Sequence, residues 1–192
     1  PMPSPQDDFN ELLRRIKDGR AVAHASFEPV YYLVFDPAAL LEVKRHLPAW
    51  TARLKNEGWD VHVYSIADRI ADVFAHAPTR QLWLSGDRKA PLDWSRTNKA
   101  LANGLTVQTP LQAGLETLLA ELEGKPNAIV LVTDLEALHP YLRIGAIEAQ
   151  LQGQFHSPTV FFYPGLRTGK TQLRFLGFYP EDGNYRSVHV GG

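Results

Sequence analysis

Two continuous apolar runs constrain this chain more than any other feature. Ala128–Asp134 reads Ala-Ile-Val-Leu-Val-Thr-Asp, and Thr159–Gly165 reads Thr-Val-Phe-Phe-Tyr-Pro-Gly. Unbroken apolarity, as opposed to alternation, fits strands covered on both faces, as in a parallel sheet clad by helices. Parallel pairing needs a crossover, and the segment from Leu135 to Leu151 carries a helical pattern that supplies one. The expected fold class is α/β, with a mostly parallel central sheet flanked by helices. In such sheets ligands sit beyond the carboxyl ends of the strands. Those ends present Thr133, Asp134, the His139–Arg143 segment, Pro164 and Gly165.

The remaining elements extend this plan over one domain spanning residues 1–192. Pro1 ahead of Met2 reads as a cloning remnant, and residues 1–6 as a disordered start. Phe9, Leu12, Leu13 and Ile16 share a helical face. Pro29–Phe35 is a strand, and Asp36-Pro37 supplies a cap and a first helical proline. The helix it opens runs to about Glu57, with Leu40, Leu41, Val43, Leu47, Trp50 and Leu54 as core positions and a kink or break at Pro48. Trp59–Tyr64 is a strand, and Ser65 caps the helix after it. Residues 77–106 read as short helices inserted on the sheet. Thr109-Pro110 opens a helix with Leu111, Leu115, Leu118, Leu119 and Leu122 inward. Gln172–Tyr179 and Asn184–Val190 read as two arms of an antiparallel hairpin at the sheet edge.

Composition excludes several classes of function. Cysteine is absent from the 192 residues, which removes disulfides, thiolate chemistry and Cys-based zinc sites. The formal net charge is -1, so direct DNA binding by the isolated chain is not expected. No apolar run reaches the ~18 residues of a membrane span. A cytoplasmic location follows as an expectation.

Pro164–Thr171, Pro-Gly-Leu-Arg-Thr-Gly-Lys-Thr, ends like a phosphate-binding loop. Two features contradict that reading. Proline stands where the motif needs its first glycine. The residues after Thr171 are extended in pattern, whereas a phosphate loop must open a helix whose amides meet the anion. Asp134, at the end of an apolar strand, resembles a magnesium-holding aspartate, but without a phosphate loop a turn or cap is the expected role. His139, His156 and His189 lack zinc-pair spacing, and there is no Gly-x-Ser-x-Gly elbow to support Ser157, His139 and Asp134 as a triad. No catalytic residue, cofactor site or metal site is assigned. Two alternatives remain: nucleotide binding through Lys170, Thr171 and Asp134, and DNA contact through Arg143, Arg167, Lys170, Arg174 and Arg186.

Four segments taken together, Leu138-His-Pro-Tyr-Leu-Arg143, Ser157-Pro-Thr-Val-Phe-Phe-Tyr-Pro-Gly165, Leu173-Arg-Phe-Leu-Gly177 and Asp182-Gly-Asn-Tyr-Arg186, resemble the BrxB family of the BREX (bacteriophage exclusion) defence systems. The resemblance implies a small component of a multi-gene anti-phage system that also encodes a PglZ-type protein, a DNA methyltransferase and a large ATPase. It implies a core like that of phosphate-loop NTPases without the loop, and it carries over no established catalytic activity. The positions it carries over are Pro140, Tyr141, Leu142, Arg143, Tyr163, Pro164, Gly165, Gly177, Asn184, Tyr185 and Arg186, as fold-defining or partner-facing residues. With the local excess of arginine, it suggests Tyr141, Arg143, Tyr163, Arg167, Arg174, Tyr185 and Arg186 as partner-binding. The expected function is a non-catalytic adaptor that binds the PglZ-type protein, with the methyltransferase or ATPase as further partners.

Overall fold

The structure is a computed structural model and describes residues 3–21, 28–182 and 187–192. Six strands form its sheet: β1 (Val30–Phe35), β2 (Asp60–Ser65), β3 (Ala128–Thr133), β4 (Thr159–Thr168), β5 (Gln172–Phe175) and β6 (Val188–Gly191). The order is β2-β3-β4-β1-β6, and every pair along it is parallel. The two apolar runs are therefore neighbours, with Val130 opposite Thr159 and Val132 opposite Phe161. All six residues of β1 and all six of β3 are buried, as continuous apolarity requires.

Helices cover both faces. They are α1 (Pro5–Ala21), α2 (Leu40–Asn56), α3 (Ile66–Ala75), α4 (Arg80–Lys89), α5 (Trp94–Thr106), α6 (Pro110–Leu122) and α7 (Ile144–Gln150). Successive strand residues point to opposite faces. Tyr31, Leu33, Ile129, Leu131, Val160 and Phe162 accordingly pack with Phe9, Leu12 and Ile16 of α1 and Trp50 and Leu54 of α2. Their neighbours Tyr32, Val34, Val130, Val132, Phe161 and Tyr163 pack with Ile70, Leu115, Leu119 and Ile147 from α3, α6 and α7.

Local chemistry sets the helix ends. α1 opens at Pro5, inside the stretch expected to be disordered. Ser4 and Asp7 form a reciprocal cap there: the Asp7 amide donates to Ser4 Oγ at 3.2 Å and the Ser4 amide to Asp7 Oδ2 at 3.1 Å. Asp36 Oδ1 accepts from the Ala38 amide at 2.8 Å, and a 3-10 turn, Pro37–Ala39, leads into α2. α2 then runs unbroken through Pro48. Pro48 is exposed, and Trp50 and Leu54 hold the next turns to the sheet. Leu41 is 66% exposed and not a core residue; Val43 takes the inward position. Gly58, at φ +93, ends α2. Its amide and that of Trp59 donate back to Lys55 O and Leu54 O, each at 3.0 Å, a Schellman closure. Ser65 Oγ accepts from the Asp68 amide and caps α3 as expected. Thr109 precedes α6 in a left-handed conformation, and its side chain makes no capping bond. Of the expected insertion, α5 rests on α3 and α6 and α4 rests on α5, more than either does on the sheet.

The Gly-Lys-Thr segment closes a hairpin. β4 and β5 pair antiparallel from Gly165–Phe175 to Thr168–Gln172, with Gly169 at φ +69 in the turn. Lys170 therefore sits at a tip between two strands and does not begin a helix. The antiparallel edge hairpin is thus present, but its arms differ from the expected pair. Val188–Val190 of the expected second arm instead join β1 in parallel, as most of β6, with Tyr31 opposite Val188 and Leu33 opposite Val190. Alternation marks a half-covered edge strand but not its direction, and β1 had an open apolar edge to fill.

Two glycines predict opposite outcomes. At Gly165 an added methyl would run into the Arg174 carbonyl oxygen and within 2.6 Å of the Tyr163 ring. Backbone cannot yield there, so Gly165→Ala is expected to cost about 2 kcal/mol. At Gly86, inside α4, nothing lies within 4 Å. Gly86→Ala is expected to gain about 0.5–1 kcal/mol from helix propensity. Urea melts of the two variants measure both.

Candidate functional site

At the carboxyl ends of β2 and β3, Asp134 stands in a left-handed conformation at φ 60. Its side chain does not cap the 3-10 turn Leu135–Leu138 that follows. It cross-links instead. Ser65 Oγ donates to Asp134 Oδ2 at 2.5 Å and Thr133 Oγ1 to the same oxygen at 3.3 Å. Lys44 of α2 lies 3.0 Å from Asp134 Oδ1 and 2.5 Å from Glu136 Oε1. Burial works against the charge on Asp134, but the Ser65 hydroxyl and the Lys44 ammonium outweigh it and hold the carboxyl below its usual range. Burial likewise works against Lys44, and Glu136 and Asp134 together hold its ammonium above the usual value. The Lys44 ammonium thus bridges both carboxylates and offsets one of their two negative charges. Among the described residues no three His, Asp or Glu side chains converge as metal ligands. This cluster locks α2 to the end of the sheet.

A different surface gathers around the His139–Arg143 loop. Leu176 at φ 54 and Gly177 at φ 79 turn the chain back on itself after β5, and glycine meets that demand without strain. The turn lays Phe178 and Tyr179 against the loop. His139 Nδ1 hydrogen-bonds the Tyr179 hydroxyl. The His139 ring stands edge-on to Phe178 at 5.3 Å and to Tyr179 at 5.4 Å, and Phe178 stacks on Tyr179 at 5.0 Å. The Arg143 guanidinium lies 5.1 Å from the Tyr179 ring centre, within cation–π reach. Tyr141 packs edge-on to Phe74 at 5.9 Å. Burial pushes the Tyr179 hydroxyl up, with Arg143 pulling the other way, so the phenol stays a neutral donor or acceptor. The outcome is an ordered aromatic and cationic patch whose most prominent member, Phe178, is 64% exposed.

Of the residues assigned to partner binding, Tyr141 and Arg143 belong to this patch. Tyr163 does not: it is 1% exposed, between Tyr32 at 5.8 Å and Phe175 at 5.6 Å. A strand buried on both faces leaves no side chain for a partner, and burial pushes the Tyr163 hydroxyl well up. Arg167 is exposed and donates to the His189 carbonyl at 3.2 Å. Arg174 pairs with Glu181 at 3.3 Å. Both stand on the β4–β5 hairpin, apart from the His139 loop in sequence and engaged by the protein's own groups. Tyr185 and Arg186 lie outside the described residues.

Beneath the sheet's second face sits a half-buried carboxyl that the sequence reading passed over. Glu148 of α7 accepts a hydrogen bond from the Tyr32 hydroxyl. Burial, against the opposing Tyr32 bond and helped by Glu28 and Asp182, pushes Glu148 up to about 7. His189 stands edge-on to Tyr32 at 5.5 Å. Burial, with Arg167 second, pushes His189 down to about 4.

The family model described as BREX protein BrxB matches residues 90–190, from just before α5 to β6. The chain belongs to the BrxB family. No curated protein and no solved structure matches it. The matched span contains the patch in full, from His139 to Tyr179, and the hairpin around Lys170. BrxB proteins belong to BREX defence systems, so this chain is a component of one, alongside other proteins. No helix among the described residues is long and apolar enough to cross a membrane.

Proposed function

We propose that this BrxB protein is a non-catalytic adaptor, and that the patch of His139, Tyr141, Arg143, Phe178 and Tyr179 binds a larger protein of its defence system, with the PglZ-type component as first partner. One observation carries the reading. Phe178 is 64% exposed yet held by two ring contacts, to His139 and Tyr179. A large apolar side chain fixed in water has little rotamer entropy left to lose, which is the property of an interface anchor. Arginine and tyrosine beside it are the residues enriched at such centres.

Isothermal titration of the chain with the PglZ-type protein tests this. Phe178→Ala is expected to weaken binding about 30-fold, the ~2 kcal/mol of a hot-spot truncation, while the melting temperature stays put because the ring is mostly in water. Equal affinity for the wild type and the variant, or no association at micromolar concentrations, would sink the proposal.

A further inference from the structure

We propose that α4 and α5 form a second docking face, and that its occupant is an acidic amphipathic helix of another protein. α4 buries none of its residues. Trp83 packs it on α3 and α5, edge-on to Phe74 at 5.7 Å and so close over Gly104 that an added methyl there would sit 3.3 Å from the indole. Large apolar side chains of the two helices and the turns beside them face solvent, Leu82 at 71%, Leu84 at 39%, Leu92 at 89%, Trp94 at 69% and Val107 at 73%, while Leu105 of α5 is buried. Five of the nine large apolar side chains most exposed on the described surface thus lie within residues 82–107. Such concentration marks an interaction surface and not scatter.

The shape is concave. A groove of about 260 Å³ runs between the two helices, lined by Leu82, Trp83, Gly86, Ala90, Arg96 and Ala100. Small residues beside a leucine and an indole accept side chains projecting from a helix. A flat lipid surface would want a convex apolar face.

Charge names the occupant's chemistry. Residues 80–106 hold Arg80, Arg88, Lys89, Arg96 and Lys99 against Asp87 and Asp93, five positive less two negative, or +3, in a chain of net -1. Both acids are spent internally. Asp93 accepts from the Arg96 amide at 3.4 Å and the Ser95 hydroxyl at 3.2 Å, and Asp87 from the Thr97 hydroxyl at 3.1 Å. Among the described residues none of the five cations is in an ion pair. Carboxylates flanking an apolar stripe complement this face, whereas a nucleic acid would meet the cations and leave Leu82, Leu92 and Trp94 wet. The face borders the Phe178 patch, since Phe74 touches both Trp83 and Tyr141, but shares no binding residue with it.

The probe is a labelled peptide of about 18 residues, ~five helical turns, with leucines on one face and glutamates elsewhere. Its anisotropy is followed on adding the full chain. Micromolar binding is expected, with loss of about tenfold or more in Leu82→Glu and in the Arg88→Glu/Arg96→Glu pair, and no change in Phe178→Ala. All these positions touch solvent, and circular dichroism verifies that each variant is folded. The proposal is overturned by no binding up to about 1 mM, by equal binding to the variants, by preference for a lysine version of the peptide, or by co-sedimentation with phosphatidylglycerol vesicles in place of peptide binding.

Discussion

Trp50→Ala will lower the free energy of unfolding by about 4 kcal/mol, a large share of the 5–15 kcal/mol typical of a domain. The indole is 2% exposed. It stacks on Phe9 at 4.5 Å and on His46 at 5.0 Å, near parallel to both, and faces Phe162 at 6.1 Å. Its Nε1 donates to Gln6 Oε1 at 2.9 Å. Truncation empties the space between α1, α2 and the sheet and strips Gln6 of its donor. Trp50→Phe, which keeps the stack but not the N–H, is expected to lose only about 1–2 kcal/mol. Urea denaturation gives both values. A loss below about 1 kcal/mol in the alanine variant would mean that α1 is not seated on this ring.

The second large effect is a difference in stability that opens as pH rises. Glu148 titrates near 7 when folded, against an ordinary value of 4.5. The folded protein therefore binds this proton more tightly than the unfolded chain does. Its contribution to stability is greatest at low pH, falls as pH rises from about 4.5 to 7 and is flat above. Removing the charge should recover what is lost: Glu148→Gln is expected to be more stable than the wild type by about 3 kcal/mol at pH ~8, with little difference near pH ~4.5. The amide oxygen still accepts from Tyr32. His189 acts in the opposite sense. Its folded value of about 4 lies below the ordinary 6.5, so it gives stability that grows as pH rises through that interval. In the wild type the two trends offset each other, and the variant exposes the histidine's alone. Thermal melts of both proteins across this pH range decide the matter. Parallel curves would show that Glu148 is not held protonated.

These effects also show what the sequence displayed and what it concealed. β1, β3 and the apolar part of β4 were legible because burial on both faces forces an unbroken apolar run. The Asp36-Pro37 and Ser65 helix starts and the Gly58 stop were legible because one residue does each task. Strand direction was not: Ser187–Val190 alternates whether it pairs parallel or antiparallel. Leu41 misled because two adjacent leucines compete for one inward position, and α2 turns this one out. Tyr163 misled because the family resemblance carried it over as partner-facing, in a strand whose apolarity already declared it buried. Lys44 and Asp134 meet only through the fold, so no spacing could join them. Glu148 did leave a signal. It follows Ile144 by four residues and precedes Leu151 by three, on the buried stripe of α7, where a carboxylate is out of place. The Phe178 patch was hidden, since Gln172–Tyr179 read as one strand running through the turn at Gly177, and the His139 loop that supports it comes from a distant segment.

β1 has a consequence for how the chain is made. Its two lateral neighbours, β4 and β6, are both encoded far downstream. A nascent polypeptide emerging from the ribosome thus carries Val-Tyr-Tyr-Leu-Val-Phe, six residues of high β propensity without charge or proline, with neither side occupied until most of translation is over. Such a window is prone to cross-β association. Late sheet closure of this kind favours slow maturation and reliance on holding chaperones, so truncated fragments that stop before residue 188 are expected to leave this strand's outer edge uncovered and to accumulate as aggregates.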